Sequence, residues 1–214
     1  MRKKIYFIVI FILLLIGGTY AYFNFTFIGD DSYELVNNIY ITFQNGSSIN
    51  ISNGFPESDE SARNHETESV TLNSKNIDVA DNEMVFYISG NNEDSNSKIN
   101  ISFMLNDGSP ISSKVRLKSK YLKFDLIEFN DLNEIYLVEG LSFPLFNDTV
   151  IYNNELDTSS THYYKLRMWI DENMVISDTD PNADYGAYSS TTKTLFKNTY
   201  ASVKLTCIGE LSDK

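Results

Sequence analysis

The chain has 214 residues, with 17 basic and 29 acidic side chains and a formal charge of −12 at pH 7. So acidic a chain argues against nucleic acid as a partner, because phosphate contact needs clustered Lys and Arg. With one cysteine, Cys207, and two histidines, His65 and His162, it has no internal disulfide framework and no Cys/His zinc site, and little material for Cys–His or Ser–His catalysis.

The first element is apolar. Arg2, Lys3 and Lys4 precede an unbroken run from Ile5 to Ile16, which gives way to Gly17-Gly18-Thr19-Tyr20-Ala21-Tyr22-Phe23. A positive start, a short apolar stretch and then small residues make the plan of a secretory signal. As a helix the strictly apolar run spans about 18 Å at 1.5 Å per residue, short of a roughly 30 Å hydrocarbon core, although counting on through Phe23 gives enough for one crossing. Thr19 and Ala21 occupy the −3 and −1 positions of a cut after Ala21. Residues 1–23 therefore read as a cleaved signal peptide or a retained N-terminal membrane anchor. Either way residues 24–214 form one ectodomain outside the cytoplasm, with the basic end kept inside.

The string Gly17 to Phe23 (GGTYAYF) resembles the end of signal peptides handled by the SipW-type signal peptidase, found on the TasA/camelysin group of secreted bacterial proteins. The match covers about seven residues. Here the run before it is rich in Ile, Leu and Phe rather than Ala and Gly, and Asn24-Phe25-Thr26-Phe27 stands where Ser-Asp is usual. The resemblance implies a signal peptidase as a processing partner, a jelly-roll-like sandwich, and a biofilm-matrix or fibre subunit that assembles by lending an N-terminal strand to a neighbour. Tyr22 to Ile28 (YFNFTFI) has the aromatic alternation for that role, with Tyr22, Phe23, Phe25 and Phe27 as the donated side chains. That segment is expected to complete a sheet, its own or the next subunit's.

Beyond Phe23 no amphipathic helix stands out. Runs of four to eight residues rich in Ile, Val, Phe, Tyr and Thr alternate with Asn/Asp/Ser/Gly clusters, which is the strand signal. The predicted strands are 39–43, 69–72, 84–88, 98–105, 113–118, 121–127, 135–138, 163–170 and 199–208. Ile99, Ile101, Phe103 and Leu105 share one face of their strand. Leu122, Phe124 and Leu126 oppose Lys123 and Asp125, and Tyr164, Leu166, Met168 and Ile170 oppose Lys165 and Arg167. Ala201, Val203, Leu205 and Cys207 share the dry face of the last strand. One wet and one dry face per strand predicts an all-β antiparallel sandwich. The polar stretches 53–68 and 89–97 read as long surface loops, and Pro144 and Gly140 favour strand and turn over helix across 132–147.

The sharpest local pattern is Asp178-Thr179-Asp180-Pro181-Asn182-Ala183-Asp184. Asp178, Asp180, Asn182 and Asp184 place oxygen side chains two residues apart, as a calcium loop needs, with Asp171 and Glu172 as further ligands if the loop folds back. The twelve-residue EF-hand template is not met, since its sixth position is Ala183 and its twelfth Ser189; a solvated Asp/Pro/Asn turn is the alternative. Cys207 reads as a small buried hydrophobe, and both histidines as incidental surface residues. Trp169 falls on the Lys165/Arg167 face, which requires cover from the same domain, a cation–π pair or another subunit. Lys114, Arg116, Lys118, Lys120 and Lys123 make a basic patch, read as a solvated strand face or a contact for an acidic partner.

No HExxH, GxSxG, GxxxxGK or GxGxxG occurs. The expected function is therefore a non-enzymatic secreted or cell-envelope protein, with self-assembly into a matrix or fibre as the role that the resemblance implies. The rivals are a membrane-anchored binding module for a glycan or protein ligand, stabilised by calcium, and a hydrolase with two close carboxylates.

Overall fold

The computed structural model describes residues 25–26, 32–36, 39–44, 48–52, 56–90, 98–108, 115–117, 121–130, 133–143, 148–157, 159–173 and 199–211. They form β1 (Phe25–Thr26), β2 (Ser32–Val36), β3 (Ile39–Phe43), β4 (Ser48–Ser52), β5 (Pro56–Glu57), α1 (Asp59–Arg63), β6 (Thr67–Leu72) and β7 (Lys75–Ala80). There follow β8 (Glu83–Gly90), β9 (Lys98–Asp107), β10 (Val115–Arg116), β11 (Leu122–Phe129), β12 (Glu134–Ser142), β13 (Thr149–Asp157), β14 (Thr161–Asp171) and β15 (Thr199–Leu211).

One sheet runs β1-β15-β9-β13, with β4 and β10 also on β15; the other runs β12-β11-β14-β8-β3-β2, with β5 on β14. Pairing is antiparallel except for the two-residue strands β10 and β5. The inward residues of the two sheets interlock, so the fold is all-β and sandwich-like. Ile99, Ile101, Phe103, Leu105, Ala201, Val203, Leu205 and Cys207 come from one sheet and meet Phe86, Leu122, Phe124, Leu126, Tyr164, Leu166 and Met168 from the other. These are the dry faces that the alternation identified. At the centre the Phe103 ring lies 5.7 Å from Phe86, 5.2 Å from Tyr164 and 6.2 Å from Tyr152, within the range where aromatic pairs attract beyond their area burial.

The outer face of the seven-stranded sheet departs from expectation. Lys165, Arg167 and Asp125, predicted to be wet, are buried. The cause is a third layer. β6 and β7 form a hairpin whose Leu72 and Ile77, with Val70 and Val79, pack on Val85, Tyr87, Phe129 and Tyr163. Its tight turn is Asn73-Ser74, at φ 49° and 63°; two successive left-handed residues suit the twist of a two-residue hairpin. Beside it lies α1, so the stretch 53–68 is not simply a loop. Ser58 caps the helix by accepting from the Ser61 N–H at 3.1 Å, with Asp59 and Glu60 in the first turn and Arg63 in the last, the charge order that a helix dipole favours. Glu57 pairs in parallel with Asp171 just before it. Of 89–97, Ser89 and Gly90 belong to β8 and the rest lies outside the described residues.

Strands β2, β4, β5, β7 and β13 were not predicted, and of 113–118 only Val115 and Arg116 are strand among the described residues. Residues 1–23, including Thr19, Ala21, Tyr22 and Phe23, also lie outside the description, as does Phe27. Among the described residues no helix is long and apolar enough to cross a membrane.

Candidate functional site

The longest strand, β15, has two unlike edges. One is paired along its length, to β9 from Val203 to Leu211 and to β10 at Thr199 and Tyr200. On the other edge β4 covers Tyr200 to Lys204, and among the described residues β1 pairs at Ile208 and Gly209, opposite Thr26 and Phe25. The segment expected to complete a sheet thus does so here within its own chain, through Phe25 and Thr26. Among the described residues the pairing joins two residues of each strand, and a strand edge with open N–H and C=O groups accepts a strand that fits. Beneath it Cys207 is buried, and burial pushes its thiol well above the ordinary range; it is the small buried hydrophobe that its phase implied.

Under the third layer sits a connected set of ion pairs. The Asp125 carboxylate is fully buried and accepts from Arg63 Nε and Nη2, each at 3.0 Å, from Arg167 Nη1 at 3.0 Å, and from the Gly140 N–H at 2.7 Å. Gly140 stands at φ 57°, a conformation that suits glycine. Arg167 also donates through Nε to Glu83 Oε1 at 2.8 Å, and Glu83 Oε2 accepts the Ala80 N–H at 3.0 Å. Lys165 lies 3.5 Å from Glu83 and 3.4 Å from Glu134. Cations and carboxylates alternate through the set, which is how buried charge is tolerated. Trp169, beside them, is fully buried by its own domain. No cation–π pair or second subunit is needed to explain it. Of the basic patch, Lys123 is held by Asp59 at 2.9 Å and Asp171 at 3.6 Å, the first of these raising its pKa most. Arg116 is in β10, and Lys114, Lys118 and Lys120 lie outside the described residues.

Neither histidine is incidental. His65 lies between carboxylates, with Nδ1 2.8 Å from Asp81 Oδ1 and Nε2 2.8 Å from Glu57 Oε2. Carboxylates only accept, so both bonds form only when the ring is doubly protonated. Accordingly the Asp81 hydrogen bond, opposed by partial burial and aided by Glu57, raises the His65 pKa above its ordinary 6.5. A pKa raised on folding stabilises fully below the unfolded value, and the gain is lost as pH rises through the folded value. The expected result is that His65→Gln lowers the urea midpoint of unfolding at pH 5.5, by a loss of about 1 kcal/mol or less, and scarcely at pH 8.5. An equal loss at both values would contradict the clamp.

His162 has a different pair of neighbours. Its Nδ1 is 2.8 Å from Glu128 Oε1 and its Nε2 2.8 Å from Ser160 Oγ. Glu128 faces Tyr164 in the β11–β14 register, and Ser160 stands one residue before β14. A spacing of two puts Ser160 and His162 on one face of the chain; Glu128 is supplied from the neighbouring strand.

Asp178, Asp180, Asn182 and Asp184 all lie outside the described residues. Asp171, one of their suggested helpers, is engaged by Lys123 and by the Asn173 N–H at 3.0 Å, and the Glu172 N–H donates to the Glu57 carbonyl at 3.2 Å. Among the described residues no three His, Cys, Asp or Glu side chains are placed to hold a metal ion. Compared with known proteins, the chain matches no family model, no curated protein and no solved structure.

Proposed function

We propose that the chain is a secreted or cell-envelope structural protein, held on the extracellular side of a bacterial membrane or released from it. Its main role is assembly: a jelly-roll-like matrix or fibre subunit in which β1 of one copy can occupy the β15 edge of the next. The observation that carries this reading is the pairing of Phe25–Thr26 with Ile208–Gly209. The segment follows the apolar leader in sequence, pairs through two residues among those described, and fills an edge that every copy presents. Exchange then replaces one pairing by an identical one, so its cost is entropic and falls as protein concentration rises.

A binding module is the second reading. Ile135, Tyr136 and Leu141 are exposed on β12, the terminal strand of the seven-stranded sheet, and exposed apolar side chains grouped on one strand suit a ligand.

Deleting residues 22–28 separates the two. On gel filtration at increasing concentration, the intact body is expected to run as oligomers and the deletion variant as a monomer. Unchanged oligomers after deletion would overturn strand exchange, and a monomer in both cases would favour the binding module.

A further inference from the structure

We propose that Ser160, His162 and Glu128 form a nucleophilic relay that takes acyl groups from small activated esters. The connectivity is the one such chemistry requires: hydroxyl to Nε2, and Nδ1 to carboxylate, both at 2.8 Å. The two histidines provide an internal contrast. His65 faces two groups that only accept, so its ring is an ion held for stability. His162 faces one carboxylate and one hydroxyl. The Glu128 carboxylate fixes the Nδ1 proton, and in the neutral ring Nε2 keeps its lone pair for the hydroxyl proton. The Ser160 hydroxyl has a single proton and two acceptors in reach, His162 Nε2 at 2.8 Å and the Asp157 carbonyl at 3.5 Å; the shorter bond takes it.

Asp157 Oδ1 is occupied by the Ser159 N–H and hydroxyl, each at 2.8 Å. Ser160 is exposed, while His162 and Glu128 keep only 22% and 26% of their side-chain surface in solvent. The nucleophile is therefore open to a substrate while base and carboxylate are held.

The step balances without a further reagent. Ser160 Oγ bonds to the ester carbonyl carbon as its proton passes to His162 Nε2. The carbon–alkoxy bond then breaks, the alkoxide takes that proton, and an acyl-serine remains. Water, deprotonated by the same nitrogen, releases the acid and restores the hydroxyl. Esters with good leaving groups are the fitting class, because nucleophile activation is most of what they need. Glu128 is a positioning residue that acts through His162. These residues are remote in the chain from β1 and the 206–211 stretch of β15, so this inference and the assembly reading stand or fall separately.

The test uses the purified full-length chain and a fluorophosphonate probe, which phosphonylates activated serines, with the labelled peptide identified by mass spectrometry. Labelling at Ser160 is expected, and Ser160→Ala should abolish it. His162→Gln should slow it by about 100-fold or more, the usual share of a general base. Glu128→Gln should slow it about tenfold, with Glu128→Asp restoring most of the rate. No labelling above that of the urea-unfolded chain would overturn the proposal. So would labelling elsewhere, or a rate that His162→Gln leaves unchanged while its circular dichroism matches the parent.

Discussion

Replacing Asp125 by asparagine is expected to cost about 3–5 kcal/mol of folding stability, the range for removing one partner of a buried ion pair. The carboxylate is fully buried, and four donors converge on it from α1, β12 and β14. The amide is nearly the same size, so no cavity forms; the loss is electrostatic. Arg63 can turn toward solvent and toward Glu139, 3.1 Å from its Nη1. Arg167 cannot, because only 6% of its side chain reaches solvent. Glu83 is then its remaining carboxylate partner among the described residues. Since natural domains have about 5–15 kcal/mol in total, such a loss is a large share. Urea unfolding followed by tryptophan fluorescence is a fitting readout, because Trp169 is buried beside the network. The double variant Asp125→Leu with Arg167→Met should lose less than the two single variants together, as both charges leave at once. A cost below about 1 kcal/mol for Asp125→Asn would show that the third layer does not depend on this carboxylate.

Phe103→Ala is expected to cost about 3–5 kcal/mol by a different route, cavity formation. Phe103 is buried on β9 and its ring meets Phe86, Tyr164 and Tyr152 from both sheets. Neighbouring rings belong to paired strands, so the site cannot collapse without moving backbone. The urea midpoint should fall with an unchanged m-value, because the surface exposed on unfolding is nearly the same. A loss under about 1 kcal/mol would place the centre of the core elsewhere.

The inner faces were legible in the sequence because each depends only on a period of two, carried by Ile99, Ile101, Phe103 and Leu105 and by Ala201, Val203, Leu205 and Cys207. The outer face was not. On β14 the polar residues Lys165 and Arg167 look like a solvated face, and only partners remote in sequence neutralise them: Asp125 at a separation of 42 and Glu83 at 84. Nothing local announces such partners. The covering helix did leave a local signal, Ser58 followed by Asp59 and Glu60 with Arg63 at the far end, but five residues are too few to show a helical apolar period. The hairpin turn was signalled by Asn73-Ser74 between Val70-Thr71-Leu72 and Ile77. β4 and β13 were hidden by composition, since SINIS and the Asn153-Asn154 pair read as loop while their apolar neighbours face the core. The Ser160–His162 spacing was visible; Glu128, 34 residues away, was not.

Assembly is tested most directly by asking whose β1 lies on whose β15. Thr26 and Ile208 are register partners, and facing residues of an antiparallel pair lie about 4.5–5.5 Å apart at Cα, within disulfide reach. Chains carrying Thr26→Cys and chains carrying Ile208→Cys are mixed at high concentration, unfolded and refolded together, and oxidised. Cys207, buried with its thiol pKa pushed up, stays out of the reaction. Exchange of β1 between copies gives a disulfide-linked heterodimer, sized on a non-reducing gel. If the mixture yields no bond between chains while the Thr26→Cys/Ile208→Cys double variant closes one within each chain, β1 serves only its own sheet and the assembly reading is wrong.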